Sequence, residues 1–284
     1  MTPTLVRQHL PHAGRKPRVD QWARARDWAE IQERMLVPLY EAVYERLEVG
    51  RGTRLLGLGC GSGLALLMAA SRGASVTGVD ASAPERLALA RERMLPEAGG
   101  TRACASRIVH GEPGDLTGPD SPAYNVVTAF EPIGCTAGDS EGLEELLEAA
   151  APLAGRGASV VLAGWGPPER CSTSSVLRVA TRHADPARGA VGWRPALRDD
   201  LEEVAERAGL KPDGSGRVAC PFGYADVGNA MRGLLSTGLF DAAIAATDQG
   251  QVDKELKEAL HPHLRKDGTV WMTNVFRYLI ARTV

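Results

Sequence analysis

Gly59, Gly61 and Gly63, in the run Gly59-Cys60-Gly61-Ser62-Gly63, are the residues whose spacing points most directly to chemistry. Glycine lets backbone N–H groups approach a ligand closely and adopts positive φ without steric cost. A helix that starts just after such a turn adds partial positive charge at its N-terminus. Asp80 follows roughly 20 residues later, where an acid at the end of a second strand hydrogen-bonds a ribose diol. Together these residues describe a cradle for a nucleoside-type cofactor. A dinucleotide site needs G-x-G-x-x-G, and its third glycine would fall at the position of Leu64. The third glycine is Gly63 instead, which disfavours a nicotinamide oxidoreductase.

The elements that must position this loop read as alternating strands and helices. Residues 54–59 form an apolar strand, 64–73 a helix closed by Gly73, and 75–80 a second strand. Residues 82–94 form a helix with Pro84 in its first turn, and Ser82 and Glu85 make a capping box. Strands are predicted at 106–111, 124–130, 158–165, 214–222 and 270–283, and helices at 140–153 and 197–210. Such alternation requires a parallel sheet covered on both faces. Ahead of it, residues 20–47 carry Ile31, Met35, Leu36, Leu39 and Val43 at helical spacing, with Pro38 breaking or restarting the run. Residues 223–268 interrupt the alternation with two or three short helices. The organisation expected is a flexible tail at 1–20 and one domain at 21–284, with a helical cover at 21–47 and a helical lid at 223–268.

Ligands of open α/β sheets bind outside the carboxyl ends of the strands. An acceptor pocket is therefore expected among Trp165, Phe222, Tyr224 and the lid residues Met231, Leu234, Leu235 and Phe240. The aromatics favour an apolar, ring-containing acceptor, although the leucines serve equally well as a lid core packed on itself. Among the histidines, His110 ends the third strand in a packing position, and His261 and His263 flank Pro262 as solvated residues. His183 sits in the loop RHADPARGAVGWRP, which can reach the pocket or lie on the surface. Glu131 is the one acid expected near the reacting centre. Glu131 and His183 are thus the candidate catalytic groups.

Bulk properties narrow the class. The chain has 284 residues, 44 % of them hydrophobic and 24 % charged, with a net charge of −2. No basic face interleaved with aromatics is present, so no nucleic-acid partner is expected. No apolar run reaches membrane-helix length, and residues 1–20 lack the apolar stretch of a signal peptide. The five cysteines, Cys60, Cys104, Cys135, Cys171 and Cys220, are widely spaced without a CxxC pair, so neither a metal site nor a disulfide framework is expected. These features lead to the expectation of a cytoplasmic protein, monomer or homodimer, without a membrane partner.

The segment GLGCGSGLALLMAASRGASVTGVDASAPERLALARERM resembles the class I S-adenosyl-L-methionine (SAM)-dependent methyltransferases, in the small-molecule group that includes ubiquinone and menaquinone methylases. YNVVTAFEPIG resembles that family's fourth-strand segment, and LLEAAAPLAGRGASVVLAGWGPPERC its following helix and fifth strand. VFRYLIART resembles its last strand, which inserts antiparallel. The resemblance implies a Rossmann-like, seven-stranded, mostly parallel sheet and SAM as cofactor, converted to S-adenosyl-L-homocysteine. It implies that Gly59, Cys60, Gly61 and Gly63 form the loop, with Ser62 contributing backbone. Asp80 would take the ribose hydroxyls, Ala81 would flank the adenine, and Gly111-Glu112 would place an acid near the adenine amino group. Phe130 and Glu131 would face the methionine portion, and Trp28 would cover the cofactor.

Two positions depart from the family pattern. Gly57 stands where the first strand usually carries Asp or Glu, and Glu131 where an uncharged polar residue is common. Glu131 is expected to supply the missing negative charge, the alternative being a packing glycine and a solvated acid. The activity implied is methyl transfer to an O or N atom of a small-molecule acceptor, a specialised metabolite. Phe130-Glu131-Pro132-Ile133 lacks the NPPY-like tetrapeptide of nucleobase or glutamine methylation. Competing readings are a SAM-binding protein that catalyses a non-methylating reaction such as a cyclisation, and a non-catalytic SAM-binding subunit.

Overall fold

A computed structural model describes residues 20–95, 106–116, 123–182 and 194–284. His183 and Cys104 lie outside the described residues. The N-terminal cover consists of α1 (Gln21–Asp27), a π-helical turn (Trp28–Gln32), a 3-10 turn (Glu33–Leu36) and α2 (Val37–Arg46). Asp20 caps α1 by accepting from the N–H groups of Trp22 and Ala23 at 3.0 and 3.1 Å. Pro38 sits in the first turn of α2, where its missing N–H costs nothing, so the helix restarts there.

The alternation runs β1 (Arg54–Leu58), α3 (Leu64–Ser71), β2 (Ser75–Asp80), α4 (Pro84–Arg93), β3 (Ser106–His110), β4 (Tyr124–Ile133), α5 (Asp139–Ala150) and β5 (Ala154–Trp165). It continues through the short helices α6 (Thr173–Leu177) and α7 (Val179–Arg182) to α8 (Asp200–Arg207) and β6 (Lys211–Ala219). The insertion holds β7 (Phe222–Tyr224), α9 (Val227–Ser236), α10 (Asp241–Ala246), α11 (Gln249–Leu260) and β8 (Val270–Met272), and β9 (Val275–Arg282) closes the chain. The main sheet has seven strands in the order β3-β2-β1-β4-β5-β9-β6, with β9 antiparallel to both its neighbours. The expected architecture is therefore present.

Successive residues of the central strands point to opposite faces, and each face carries its own core. Leu55, Val126, Val161 and Ala163 pack under α2, α3 and the lid. Leu56, Val127, Val160 and Leu162 pack with Leu143, Leu147, Leu201 and Val204 of α5 and α8.

Three local expectations are corrected. The predicted strand 270–283 is two strands in different sheets, because Asn274 diverts the chain between them. Its side-chain oxygen accepts from Thr173 N at 3.2 Å, and its carbonyl from Cys220 N at 3.0 Å. β8 pairs with β7 in a two-stranded ribbon, so the lid begins and ends on β structure. The sixth strand ends at Ala219 rather than at residue 222, since Pro221 has no N–H to continue the ladder. The Ser82–Glu85 capping box does not form. α4 starts without a side-chain cap, and the Ser82 hydroxyl donates instead to Asp80 Oδ1 at 2.6 Å.

Cover and lid are pinned together. Arg24 donates to Asp241 Oδ2 at 2.8 Å and to the Leu235 carbonyl at 3.1 Å. Arg232 Nε donates to Asp27 Oδ1 at 3.0 Å, and the Tyr224 hydroxyl to Gln32 Oε1 at 3.0 Å. The cover thus roofs the carboxyl ends of β1 and β4 together with the lid.

Candidate cofactor and acceptor site

The glycine loop leaves β1 with positive φ at Gly59 (58°), Gly61 (55°) and Gly63 (79°). Its anchor is Asp80, whose Oδ2 accepts from Gly61 N at 3.0 Å. Asp80 Oδ1 accepts from the N–H of Ser82 at 2.8 Å as well as from its hydroxyl. The acid at the end of β2 therefore fixes the loop and faces the same cleft.

A second carboxylate holds the loop from above. Glu33 accepts from the Ser62 hydroxyl, from Leu64 N at 3.4 Å and from Arg93 Nη1 at 2.6 Å. Arg93 also donates to the Ser62 carbonyl at 2.9 Å and to the Ala29 carbonyl at 2.8 Å. Glu33 thus caps α3 from a different element, satisfying an N-terminal N–H that Gly63 cannot. The π-helical turn makes this possible. Glu33 N–H bonds the Trp28 carbonyl five residues back, which stacks Trp28 and Glu33 on one face.

Trp28 lies over the loop. A Cβ built on Gly61 would sit in van der Waals contact with Trp28 Nε1 at 3.4 Å and Glu33 Oε1 at 3.5 Å, and the left-handed φ of 55° is what calls for glycine here. The Trp28 Nε1–H is buried and has no acceptor among the described residues. The guanidinium of Arg86, on α4, stacks over the Trp28 ring at 4.1 Å and donates to the Ser236 carbonyl at 2.7 Å. Burial lowers the Arg86 pKa, and Glu131, Asp80 and Glu33 oppose that shift.

Gly57 is a packing residue. A Cβ there would meet Leu66 Cδ2 at 2.8 Å, and one on its register partner Gly78 would meet Leu66 Cδ1 at 2.5 Å. Leu66 of α3 fills the trough left by the two glycines. Cys60 also turns down into it, its Sγ 2.8 Å from the Gly78 Cβ position, and burial pushes its thiol up to about 12.

Glu131 is close to the loop: a Cβ on Gly59 would lie 3.6 Å from its Oε2. Its exposed surface opens into the cleft and protein surrounds it, so desolvation raises its pKa. The Asp80 charge raises it further, and Arg86 is the cation that opposes. No hydrogen bond reaches Glu131 among the described residues.

Two adjoining cavities share Trp28, Gly59, Arg86 and Glu131. The smaller, about 50 Å³, lies against Gly59, Cys60, Gly61, Asp80 and Phe130. The larger, about 330 Å³, extends over the end of β4 to Leu143, Leu146, Trp165, Phe222 and Phe276. Asp139 borders it, but its Oδ2 is taken by the N–H groups of Gly134, Cys135 and Thr136 and its Oδ1 by Arg194. Cys135 also borders it, with a thiol that burial pushes up to about 11.

The sequence-derived residues divide accordingly. Trp28, Gly59, Cys60, Gly61, Asp80, Phe130, Glu131, Trp165 and Phe222 line the two cavities. Gly63 does not: its Cβ position is 2.9 Å from Ala90 Cβ, so it serves the packing of α4. Ala81 and Glu112 are exposed and border neither cavity, and the carboxylate that turns back to the Gly111 loop is Asp115, accepting from Glu112 N at 2.9 Å. Tyr224, Met231, Leu234 and Phe240 are buried in the core beneath the lid rather than on a cavity wall. His110 is exposed beside Asp80 in register, and His261 and His263 occupy a 3-10 turn away from both cavities. Sequence reasoning missed Glu33, Arg86 and Arg93. Only the π-turn spacing of Trp28 and Glu33 signals one of them, and no periodicity rule reports it in advance. Among the described residues no group of His, Cys, Asp and Glu could hold a metal ion, and no helix is long and apolar enough to cross a membrane.

No protein-family model and no curated protein sequence matches this chain. Solved structures match its shape. A SAM-dependent methyltransferase from Thiobacillus denitrificans, in complex with S-adenosyl-L-homocysteine, is similar with a TM-score of 0.53 and 18 % identity, covering 94 % of this chain and 99 % of that one. YjhP from E. coli is similar with a TM-score of 0.51 and 19 % identity, covering 93 % and 100 %. A SAM-dependent methyltransferase from Methanosarcina mazei gives a TM-score of 0.52 and 14 % identity, covering 84 % and 97 %. Identities this low carry architecture alone, and the strand order with its antiparallel β9 agrees: the chain has the class I SAM-dependent methyltransferase fold.

Proposed function

We propose that the protein is a SAM-dependent methyltransferase acting on an O or N atom of a small apolar acceptor, a specialised metabolite. The observation that carries this reading is the buried, unpartnered Trp28 Nε1–H above a glycine cradle that opens into an apolar cavity. An orphaned buried donor is costly and calls for an acceptor. The residues present fit SAM. Asp80 offers Oδ1 to a ribose diol once the Ser82 hydroxyl turns away. Glu131 offers a carboxylate to the ammonium group, and Arg86 and the Trp28 N–H offer donors to the carboxylate. SAM would supply a methyl group already activated on a sulfonium.

The protein's part is then alignment and exclusion of water. Holding nucleophile and electrophile in line can supply most of the acceleration for such a transfer. Trp165, Phe222 and Phe276 form the aromatic wall that would orient a ring, with Trp165 and Phe276 centroids 4.5 Å apart. No histidine borders either cavity among the described residues. Isothermal titration with S-adenosyl-L-homocysteine and with NAD tests the cofactor: heat with the first and none with the second is expected, and the reverse overturns the reading. Release of S-adenosyl-L-homocysteine on turnover with a found acceptor separates methyl transfer from a cyclisation, which leaves SAM intact.

A further inference from the structure

The π-helical turn that seats Trp28 over the glycine loop ends at Gln32, which is 7 % exposed. Gln32 borders the larger cavity and not the smaller one. Its amide is held by one end: Oε1 accepts from the buried Tyr224 hydroxyl at 3.0 Å. Burial raises the Tyr224 pKa, so that hydroxyl keeps its proton and stays a donor. Gly233 of α9 leaves room for the pair. A Cβ there would lie 3.1 Å from Gln32 Oε1, 3.0 Å from Tyr224 Cε1 and 2.9 Å from Ile31 Cγ2.

With Oε1 turned to Tyr224, Nε2 is the other arm of the amide and carries two N–H donors. No hydrogen bond reaches Nε2 among the described residues. Unlike Trp28 Nε1, it is not sealed in by protein, and the space that Gln32 borders is the larger cavity. Other polar groups bordering that cavity are committed. The Thr237 hydroxyl donates to the Leu234 carbonyl at 2.7 Å, and the Thr136 hydroxyl lies 3.5 Å from Cys135 Sγ. Leu36, Leu239, Phe222 and Phe276 give the same cavity apolar surface. A ligand that covers the amide with hydrocarbon strips water from its N–H groups and returns nothing, whereas one that brings an oxygen there restores the bond. The amide is uncharged, so an anion buried against it would stay uncompensated, and a neutral oxygen fits best.

We propose that Gln32 Nε2 donates to a carbonyl oxygen of the methyl acceptor, and so selects an apolar ring compound that carries a carbonyl group alongside the O or N atom to be methylated. Tyr224 orients the amide, and Gln32 makes the contact. The proposal rests on the larger cavity being the acceptor site of a SAM-binding protein.

The test uses the full chain saturated with S-adenosyl-L-homocysteine and two probes of one shape, the bicyclic ketone 1-tetralone and its hydrocarbon tetralin. Titration calorimetry is expected to show 1-tetralone binding about three- to tenfold more tightly than tetralin. In Gln32→Met, a side chain of similar length without a donor, the two probes should bind alike, while S-adenosyl-L-homocysteine keeps its wild-type affinity. A Gln32→Met/Tyr224→Phe variant removes both partners of the buried hydrogen bond at little cost to folding, and should show the same loss of preference. Equal binding of the two probes by the wild-type protein overturns the proposal, as does a preference that survives in both variants. A fall in S-adenosyl-L-homocysteine affinity in Gln32→Met also overturns it, because the amide then serves the cofactor. S-adenosyl-L-homocysteine that fails to bind the wild-type protein overturns the cofactor reading instead, and the two probes are then compared on the unliganded chain.

Discussion

Replacing Glu33 with alanine should detach the glycine loop from its roof. The Glu33 side chain is 4 % exposed and that of Arg93 21 %, so the ion pair is effectively buried. Removing one partner of a buried pair leaves the other charge uncompensated, at a cost of about 3–5 kcal/mol. Here Arg93 keeps the Ser62 and Ala29 carbonyls as acceptors, which places the loss at the lower end, about 3 kcal/mol. The Ser62 hydroxyl loses its acceptor, and the first turn of α3 loses its only side-chain cap.

In a protein of this size about 3 kcal/mol corresponds to a fall in Tm of roughly 6–10 °C. Glu33→Gln keeps an acceptor for Ser62 and the α3 N–H while removing the charge, and should lose about half as much. Thermal melting followed by circular dichroism reads both. Titration with S-adenosyl-L-homocysteine should show weaker binding for Glu33→Ala, since Gly61 and Ser62 are no longer held under Trp28. A Glu33→Ala protein that melts within about 2 °C of wild type and binds equally well would refute the claim that this carboxylate seats the loop.

Three further outcomes follow from the cleft. Gly57→Asp should lower stability by about 1–3 kcal/mol without improving SAM affinity, because the new side chain meets Leu66 at 2.8 Å; calorimetry of Gly57→Asp alone and with Leu66→Ala checks it, the second change relieving the clash. Glu131→Gln should weaken SAM binding about tenfold at neutral pH. The Glu131 pKa is raised on folding, so its contribution to stability is present below the unfolded carboxylate range and lost as pH rises through the folded value; melting curves between about pH 4 and pH 8 should show that loss in wild type and not in Glu131→Gln. SAM binding to wild type should strengthen over the same rise, as the carboxylate ionises, and stay flatter in the variant. Trp28→Phe removes the orphaned donor and should cost about three- to tenfold in S-adenosyl-L-homocysteine affinity, measured by titration.

The sheet was legible in the sequence because buried strands advertise themselves as short apolar runs. RLLGL and VVLAG are covered on both faces, and nothing else in the chain competes for those positions. Asp80 and the first two loop glycines were legible for a related reason: their roles are set by backbone geometry, which spacing encodes. Arg86 and Arg93 were not. They lie on α4 among Glu85, Arg91 and Glu92, and only the fold turns two of those five charges inward. Met231 and Leu234 misled in the opposite direction, since apolar residues of a lid read the same whether they face a ligand or the core. The Ser82–Glu85 pattern failed because α4 begins at Pro84, which puts Ala83 at the N-cap and leaves Ser82 one residue outside the box, free to donate to Asp80.

The carboxylate missing at Gly57 has a physical sequel. Leu66 takes the volume, so an acid returning to β1 would have to push its side chain aside. The cleft retains Asp80 and Glu131 facing each other, with Arg86 as the cation between them and the lid. Burial first, and then the Asp80 charge, raises the Glu131 pKa, and a ligand bearing positive charge would offset both. SAM carries a sulfonium and an ammonium group against one carboxylate. A dinucleotide carries a pyrophosphate, which would add negative charge where two carboxylates already repel. Glycine spacing and electrostatics are independent properties of this chain, and both select the same cofactor class. On the proposed reading, Glu131 approaches from the neighbouring strand at the level of Gly59, so it would meet the ligand without displacing Leu66.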